Sequence, residues 1–209
     1  MTRTLWICAA LLGAAFALSL AVWPHLPPTV PIHWNAQGVA DGYASRTFAL
    51  LFSPILGTVI TGLLGAVLSS HPGARPAAPR LCLVIAAFFL GLHALVVGAA
   101  LSPGHVLSVG LIWALLGGLF AALGLAMPLL RPNPWAGVRL PWTLSDEVVW
   151  RVTHRFAAWA YVITGLTVAG RGALLPTSTT SFLVCFVVLM VGALSPVPYS
   201  LVIHRLRRT

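Results

Sequence analysis

The sequence predicts an all-α, polytopic membrane protein with six transmembrane helices. Hydrophobic residues make up 59% of the 209 residues and charged residues only 7%, whereas a soluble domain carries about 25% charged residues. Mean hydropathy is +0.96, and six apolar stretches reach the roughly 20 residues that a helix needs to cross a bilayer. This composition excludes a soluble cytosolic enzyme, a disordered protein and a disulfide-bonded secreted scaffold.

The six predicted spans follow one another along the chain. They lie near residues 4–23, 48–68, 81–101, 107–130, 156–175 and 181–203. The first is predicted to be a span because its apolar run exceeds the roughly 7–15 residues of a signal peptide core. The fifth is the least apolar, since Arg171 lies near its end. In the sixth, Pro196 and Pro198 predict a bend, because proline removes a helical hydrogen bond.

Arginine placement predicts the orientation of these spans. All 12 basic residues are arginine, and a cytoplasmic N-terminus puts ten of them inside, leaving only Arg46 and Arg171 outside. This positive-inside bias predicts that both termini are cytoplasmic. The arginines are scattered between apolar runs, which does not indicate a nucleic-acid-binding surface. We divide the chain into a two-span unit, residues 1–80, and a four-span core, residues 81–209.

The outer loop, residues 24–47, carries the first group of candidate functional residues. Its four prolines predict an extended first part, and Gln37-Gly38 and Asp41-Gly42 predict turns. Three interpretations stay open here: a lid that faces a ligand, a purely structural loop in which Asp41 caps a turn, and a weak metal site at His33 and Asp41. The candidate ligand-binding residues are His33, Trp34, Asn35, Asp41 and Tyr43.

The inner loop, residues 131–155, carries the second group. Thr143 and Asp146 have the spacing of a capping box, which predicts a short interfacial helix that leads into the fifth span. On this helix Asp146, Trp150 and His154 would share one stripe. Glu147, Arg151 and Arg155 would form ion pairs on the next stripe, each worth about 0.2–0.5 kcal/mol. The candidate residues for docking a partner are Asn133, Trp135, Gly137, Arg139, Trp142, Asp146, Glu147, Trp150, His154 and Arg155.

Catalysis is not predicted for either loop. Adjacent acids at 146 and 147 point to different faces of a helix, and the chain has no serine nucleophile elbow, HExxH motif or phosphate-binding loop. The inner loop is interpreted either as an ion-paired interfacial helix or as a docking face for a cytoplasmic partner. Cys8, Cys82 and Cys185 lie in apolar runs and are predicted to be buried structural thiols. No cofactor, metal or catalytic residue is expected.

His93 is the ionisable residue nearest the middle of a span. Such residues often have a function, but a neutral histidine hydrogen-bonded to a neighbouring helix is the simpler interpretation. With no acidic residue inside a span, an ion-coupled pathway has few residues to use. A small transporter or permease therefore stays as the alternative to a receptor-like protein. The sequence does not fix the oligomeric state.

Both loops resemble segments of a known family. The inner loop, from Pro132-Asn133-Pro134-Trp135 to Trp150-Arg151-Val152-Thr153-His154-Arg155, is similar to the core signature of the SdpI family. The outer loop, with Val30-Pro31-Ile32-His33-Trp34-Asn35 and Asp41-Gly42-Tyr43, resembles the N-terminal domain of unknown function found in that family. The resemblance covers most of the chain.

The resemblance implies an immunity or signal-transducing protein of the bacterial cytoplasmic membrane. Family members protect a cell against its own secreted peptide toxin, and some hold a small cytoplasmic repressor at the membrane. It therefore implies a peptide toxin outside, a repressor inside and no enzymatic activity. The resemblance does not assign individual residues to either ligand.

Overall fold

The computed structural model describes residues 2–175 and 178–208, which form a bundle of helices with one small hairpin. Short 3-10 turns at Trp23–His25, Pro103–His105 and Met127–Leu129 lie between some of the elements. The elements in chain order are α1 (Thr2–Val22), β1 (Thr29–Trp34), β2 (Ala40–Ser45), α2 (Arg46–Ser69), α3 (Ala78–Leu101), α4 (Val109–Ala126), α5 (Pro141–Ser145), α6 (Glu147–Leu174), α7 (Thr179–Leu194) and α8 (Pro196–Leu206).

Five helical stretches in the described residues are long and apolar enough to cross a membrane. They are Arg3–His25, Arg46–Ser69, Ala78–Leu101, Val109–Leu129 and Thr179–Leu206. The prediction of a mainly helical, multi-pass protein is therefore confirmed. The predicted fifth span falls in α6, a continuous helix of 28 residues whose apolar part is interrupted by Arg171. The count of six spans and their orientation stay predictions, and "inner" and "outer" follow that orientation below.

The outer loop contains the one β-sheet in the described residues. Strands β1 and β2 form an antiparallel pair with Thr29 opposite Ser45 and Pro31 opposite Tyr43. The prolines do hold the first part extended, as predicted, but its extended backbone pairs with the residues after the turn. Val30 and Pro31 are buried, so one part of the hairpin packs on the bundle.

The short interfacial helix was predicted at the wrong residues. Residues 147–155 belong to the long helix α6, and the short separate helix is α5, which precedes it. Asp146, between the two, is the N-cap of α6 and has extended backbone angles. The two helices therefore meet at Asp146, which was predicted to lie within the short helix.

Two apolar clusters fill the two ends of the bundle. At the outer end, buried residues of α1, β1, α2 and α3 meet beneath the hairpin, namely Val22, Leu26, Val30, Ala49, Leu50, Val97 and Ala100. At the inner end, the linker between α2 and α3 packs with the inner loop through Leu68, Ala74, Ala77, Ala78, Leu81, Ala126, Met127, Leu130, Trp150 and Ala157. Both candidate loops thus rest on cores formed by several helices.

Helices α4 and α6 pack closely where Gly117 of α4 meets Gly165 of α6. A Cβ atom on Gly117 would collide with the backbone of Gly165 and Ala169, and one on Gly165 would collide with Gly117 and Ala121. Small residues at such a crossing let two membrane helices make close van der Waals contact. This crossing fixes the position of α6, and the N-terminal end of α6 carries part of the inner loop.

We expect Gly165→Ala to destabilise the protein by about 1–3 kcal/mol, because the new methyl group forces two backbones apart. Gly170→Ala is the matched control, since no atom lies within 4 Å of its added Cβ. Unfolding by sodium dodecyl sulfate in mild detergent measures both variants. Equal stability of the two variants would contradict close backbone packing at this crossing.

Candidate functional site

The tip of the outer hairpin is fixed to distant parts of the chain. The indole Nε1 of Trp34 donates to the carbonyl of His105 at 2.7 Å. The backbone N–H of Leu107 donates to the carbonyl of Gly38 at 2.9 Å. At the start of α7, Thr179 Oγ1 accepts from Gln37 Nε2 at 3.2 Å. These contacts join the hairpin to the α3–α4 connection and to α7.

The base of the hairpin is held by Arg46. Its Nη1 donates to the carbonyls of Leu26 at 2.6 Å and Trp23 at 2.9 Å. The guanidinium also lies 4.9 Å from the centre of the Trp23 ring, which is a cation–π distance. Arg46 therefore binds the end of α1 to the beginning of α2. From the sequence, Arg46 was predicted only to be a positive charge on the outer side.

One of the two predicted turns is present. Asn35 Oδ1 accepts from the backbone N–H groups of Gln37 and Val39, both at 3.0 Å, and Gly38 has φ of 79°. The prediction of a turn at Asp41-Gly42 is wrong, because both residues lie in β2 and Gly42 faces His33.

The structure separates the outer candidates into two groups. Trp34 and Asn35 shape the hairpin, whereas His33, Asp41 and Tyr43 are exposed. His33 Nδ1 lies 2.5 Å from Asp41 Oδ1, and both side chains are open to solvent, at 71% and 46%. No group of three His, Cys, Asp or Glu side chains converges anywhere in residues 2–175 and 178–208.

His93 connects three helices beneath the hairpin. Its Nε2 lies 2.9 Å from Ser19 Oγ, and Ser19 Oγ lies 2.7 Å from the carbonyl of Leu50. Because the Ser19 hydroxyl donates to a carbonyl, it accepts from His93, which is then protonated on Nε2. The interpretation of His93 as a hydrogen-bonded histidine is confirmed. This contact joins α1, α2 and α3 inside the bundle.

In the inner loop, Asn133 organises the first turn. Its side chain is buried, with 2% exposed. Oδ1 accepts from the N–H groups of Trp135 and Ala136, and Nδ2 donates to the carbonyls of Arg131 and Ala136. All four hydrogen bonds of this amide are used within the loop. Asn133 therefore shapes the loop and offers no free polar group.

Gly137 and His154 fit together closely. Gly137 has φ of 108°, and a Cβ atom there would collide with His154 Nε2. His154 Nδ1 lies 2.8 Å from the carbonyl of Trp150, and Nε2 lies 3.1 Å from the N–H of Val138. Since Nε2 must accept from a backbone N–H, the ring is neutral with its proton on Nδ1. The indole of Trp150 stacks on this ring at 4.0 Å and donates to the carbonyl of Leu130 at 2.8 Å.

The predicted capping box is wrong. Thr143 Oγ1 accepts from the N–H of Leu140 at 2.9 Å, inside α5. Asp146 is the cap of α6, and its Oδ1 accepts from the N–H groups of Val148 and Val149 at 2.8 and 3.1 Å. The shared stripe of Asp146, Trp150 and His154 is confirmed by the backbone bond from Trp150 to Asp146 and by the stacking of the two rings.

Helix α8 closes the inner loop from the other end of the core. Asp146 Oδ2 accepts from Arg207 Nε at 3.0 Å. Trp142 Nε1 donates to Ser200 Oγ at 3.0 Å, and the Trp142 ring stacks near His204. Phe156 and Tyr199 stack with ring centres 4.1 Å apart. These contacts were not predicted, because nothing local in the sequence links residues 43 to 62 positions apart.

The pKa of Asp146 is held below its ordinary value. The N–H of Val149 lowers it most, and the N–H of Val148 and the charge of Arg207 act in the same direction. The ionised carboxylate thus stabilises the folded protein. That contribution is complete above the ordinary pKa of an aspartate and is lost as pH falls through the lowered pKa of the folded state.

The inner candidates also form two groups. Asn133, Trp150 and His154 are buried, and Gly137, Trp142 and Asp146 are partly buried. The exposed residues are Trp135, Arg139, Glu147 and Arg155. The predicted pairing of Glu147 with Arg151 is not formed: in the described part of the chain, the ion pairs are His33–Asp41 and Asp146–Arg207. Trp135, Arg139, Glu147, Arg151 and Arg155 therefore present an aromatic and charged surface.

Comparison with known proteins agrees with the division into two loops. Residues 129–200 match the SdpI/YfhL protein family, and residues 10–58 match DUF1648, a domain of unknown function. Over 159 residues the chain is 28% identical to Immunity protein SdpI of Bacillus subtilis (strain 168). The aligned residues cover 74% of each of the two chains. No solved structure matches the chain. The family resemblance predicted from the two loops is confirmed.

We expect Gly137→Ala to destabilise the inner loop by about 1–3 kcal/mol, because the methyl group displaces the His154 ring and φ is unfavourable for alanine. Gly104→Ala is the control: its φ is also positive, at 71°, but the nearest atom to an added Cβ lies 3.9 Å away. Thermal unfolding in detergent compares the two. A larger loss for Gly104→Ala would contradict the close fit of Gly137 and His154.

We expect Asp146→Asn to lower stability at neutral pH less than Asp146→Ala. Asparagine keeps the helix cap but loses the charge that attracts Arg207, whereas alanine loses both. As pH falls through the lowered pKa of Asp146, the difference between the parent protein and Asp146→Asn should disappear. Melting temperatures measured from neutral to strongly acidic pH check this. A difference that persists at the most acidic pH would show that the charge is not the cause.

Proposed function

From its relationship to the SdpI/YfhL family, we propose that this chain is an immunity protein of the bacterial inner membrane that confers resistance to a secreted peptide toxin. The observation that supports the proposal is the similarity to Immunity protein SdpI, which extends over 74% of each chain. That relative is named for immunity and not for an enzymatic reaction. The chain's helices support its place in a membrane as a multi-pass protein.

The outer hairpin is the proposed contact surface for the toxin. Tyr43 is 55% exposed and lies two residues after Asp41 on β2, so an aromatic ring and the exposed, hydrogen-bonded His33–Asp41 pair are close together on the hairpin. Tyrosine and paired polar groups are common in protein–peptide contacts. The hairpin is tethered at its tip and its base, so its exposed face is held in one orientation and little conformational freedom is lost on binding.

The route from the hairpin into the membrane passes through α1, α2 and α3. β1 follows α1 by a short connection, and β2 leads directly into α2. Below them, the Ser19–His93 contact and the Ser19–Leu50 contact hold α1 and α2 on α3. A peptide that moves the hairpin would change the distance between α1 and α2. Such a displacement is the proposed first step of a signal.

The inner loop is the proposed surface for a small cytoplasmic repressor. α2 has 24 residues, so its two ends lie about 36 Å apart and the hairpin and inner loop are at opposite faces of the bundle. The linker that follows α2 contacts the inner loop, since Arg131 N donates to the carbonyl of Gly73 at 2.9 Å. Movement of α2 thus reaches the inner loop, whose exposed Trp135, Arg139 and Arg155 would contact the partner.

The orientation in this proposal is the one predicted from arginine placement. It puts both termini and the inner loop in the cytoplasm, with six spans that include α6. The five apolar helices support the multi-pass part of this topology. The Trp135, Arg151 and Arg155 side chains would lie at the membrane–cytoplasm boundary, where aromatic and cationic residues are favoured.

Expression of this chain in a Bacillus subtilis strain without SdpI tests the function. We expect it to restore survival against the secreted peptide toxin that SdpI-type proteins act on. Tyr43→Ala and Asp41→Ala should each reduce protection about tenfold or more, since loss of a central contact costs at least about 1.4 kcal/mol. Leu175→Ala, which removes another exposed apolar side chain near the predicted outer face, should protect like the parent.

Membrane abundance of each variant is measured on the same cells. If Tyr43→Ala and Asp41→Ala are present at the level of the parent and protect equally well, the hairpin is not the toxin surface. Arg139→Ala separates the two halves of the proposal: it should keep protection and lose membrane capture of the repressor. Loss of protection in that variant, at normal abundance, would contradict a purely cytoplasmic role for the inner loop.

A further inference from the structure

A groove between α1 and α2 belongs to neither candidate loop. It has a volume of about 680 Å³ and is lined mainly by apolar and small side chains. Along α1 the lining extends from Thr4 to Phe16 and along α2 from Thr58 to Ser69, and Ala78, Pro79 and Cys82 at the start of α3 complete it. Gly13 and Gly62 line it, and an added Cβ on either would meet no atom within 4 Å. The glycines therefore leave space that no part of the described chain fills.

The length of the groove matches one leaflet of a bilayer. Twelve residues separate Thr4 from Phe16, which corresponds to about 18 Å of helix. Half of the hydrocarbon core measures about 15 Å. The end at Thr4 and Ser69 lies on the inner side, because the linker after Ser69 contacts the inner loop through Gly73 and Arg131. The groove thus extends from the inner surface to near the middle of the membrane.

The inner end of the groove is positively charged. Arg75 Nε donates to the carbonyl of Ser69 at 3.0 Å, so its exposed guanidinium lies beside the groove opening. Arg3, also exposed, precedes Thr4 on the other wall. Neither arginine pairs with a carboxylate in the described part of the chain. An anion at this opening would meet two cations at the level of the lipid headgroups.

We propose that the groove binds one anionic phospholipid of the inner leaflet. One acyl chain lies between α1 and α2 over Gly13 and Gly62, and the phosphate pairs with Arg75 and Arg3. The apolar lining, the length of one leaflet and the paired cations at the opening all fit this occupant. The lipid would hold α1 and α2 at a fixed distance on the inner side, where the hairpin contacts do not reach.

Photo-crosslinking tests the site. The parent protein is placed in vesicles of phosphatidylcholine with 5% phosphatidylglycerol that carries a diazirine on one acyl chain, and labelled peptides are identified by mass spectrometry. We expect labels on peptides from α1 and α2. Gly62→Leu fills the groove and should reduce this labelling about tenfold, the effect of losing about 1.4 kcal/mol of binding.

Gly170→Leu is the matched control, since Gly170 is also a helical glycine with no atom near an added Cβ, but lies on α6 outside the groove. It should leave the labelling of α1 and α2 unchanged. Thermal unfolding shows whether both variants are folded. In Arg75→Gln, labelling by phosphatidylglycerol should fall to the level given by a diazirine phosphatidylcholine of the same chains.

A substitution at Thr61 distinguishes an acyl chain from an occupant that has a polar group. It lines the groove, is 7% exposed, and its hydroxyl has no hydrogen-bond partner in the described residues. An acyl chain needs no partner there, so Thr61→Val should keep the labelling. Loss of labelling in folded Thr61→Val would show an occupant with a polar group at this depth and overturn the acyl-chain assignment. Equal labelling in Gly62→Leu and the parent, or no labels on α1 and α2, would overturn the site itself.

Discussion

The structure depends on one constraint: inside hydrocarbon, a backbone polar group without a partner in the protein is costly, and hydrogen bonds between polar side chains of different helices are favoured for the same reason. The chain has few polar residues in its spans, and two of them connect three helices. Ser19 and His93 join α1 to α3, and Ser19 also contacts the backbone of α2. At the inner end, Trp150 donates to the carbonyl of Leu130 and Trp142 to the hydroxyl of Ser200. Each bond selects one arrangement of helices that are otherwise similar in their apolar surfaces.

Hydrogen bonds from polar side chains also order the two loops, which lie outside the spans. Their polar side chains are largely used for structure: Asn133 is saturated within its own turn, and Arg46 holds the two ends of the outer loop together. The loop side chains that do not take part in these structural contacts are exposed. The proposed roles in binding rest on that remainder, which is Tyr43 with the His33–Asp41 pair on one face and Trp135, Arg139 and Arg155 on the other.

Sequence reasoning predicted the parts that depend on local composition. Apolar runs predicted the helices, since five of the predicted spans largely coincide with one helix each and the sixth covers α7 and α8, and the turn at Asn35–Gly38 followed from its residue types. Predictions from the sequence were wrong or missing where the local structure depends on residues far away in the chain. The hairpin needs pairing across a turn and anchoring of Trp34 on His105. Asp146 caps α6 in place of the predicted Thr143, because Thr143 is hydrogen-bonded within α5 and Asp146 pairs with Arg207.

The contact between Asp146 and Arg207 spans 61 residues, and that separation has a consequence for biosynthesis. While the ribosome is still producing α7, the inner loop has its cap but not the helix that closes it. Since chains emerge at about 5–20 residues per second, several seconds pass before α8 can dock. A nascent polypeptide would therefore have an incomplete surface at the inner loop, and a partner that recognises the closed form would not bind it until translation had passed α8.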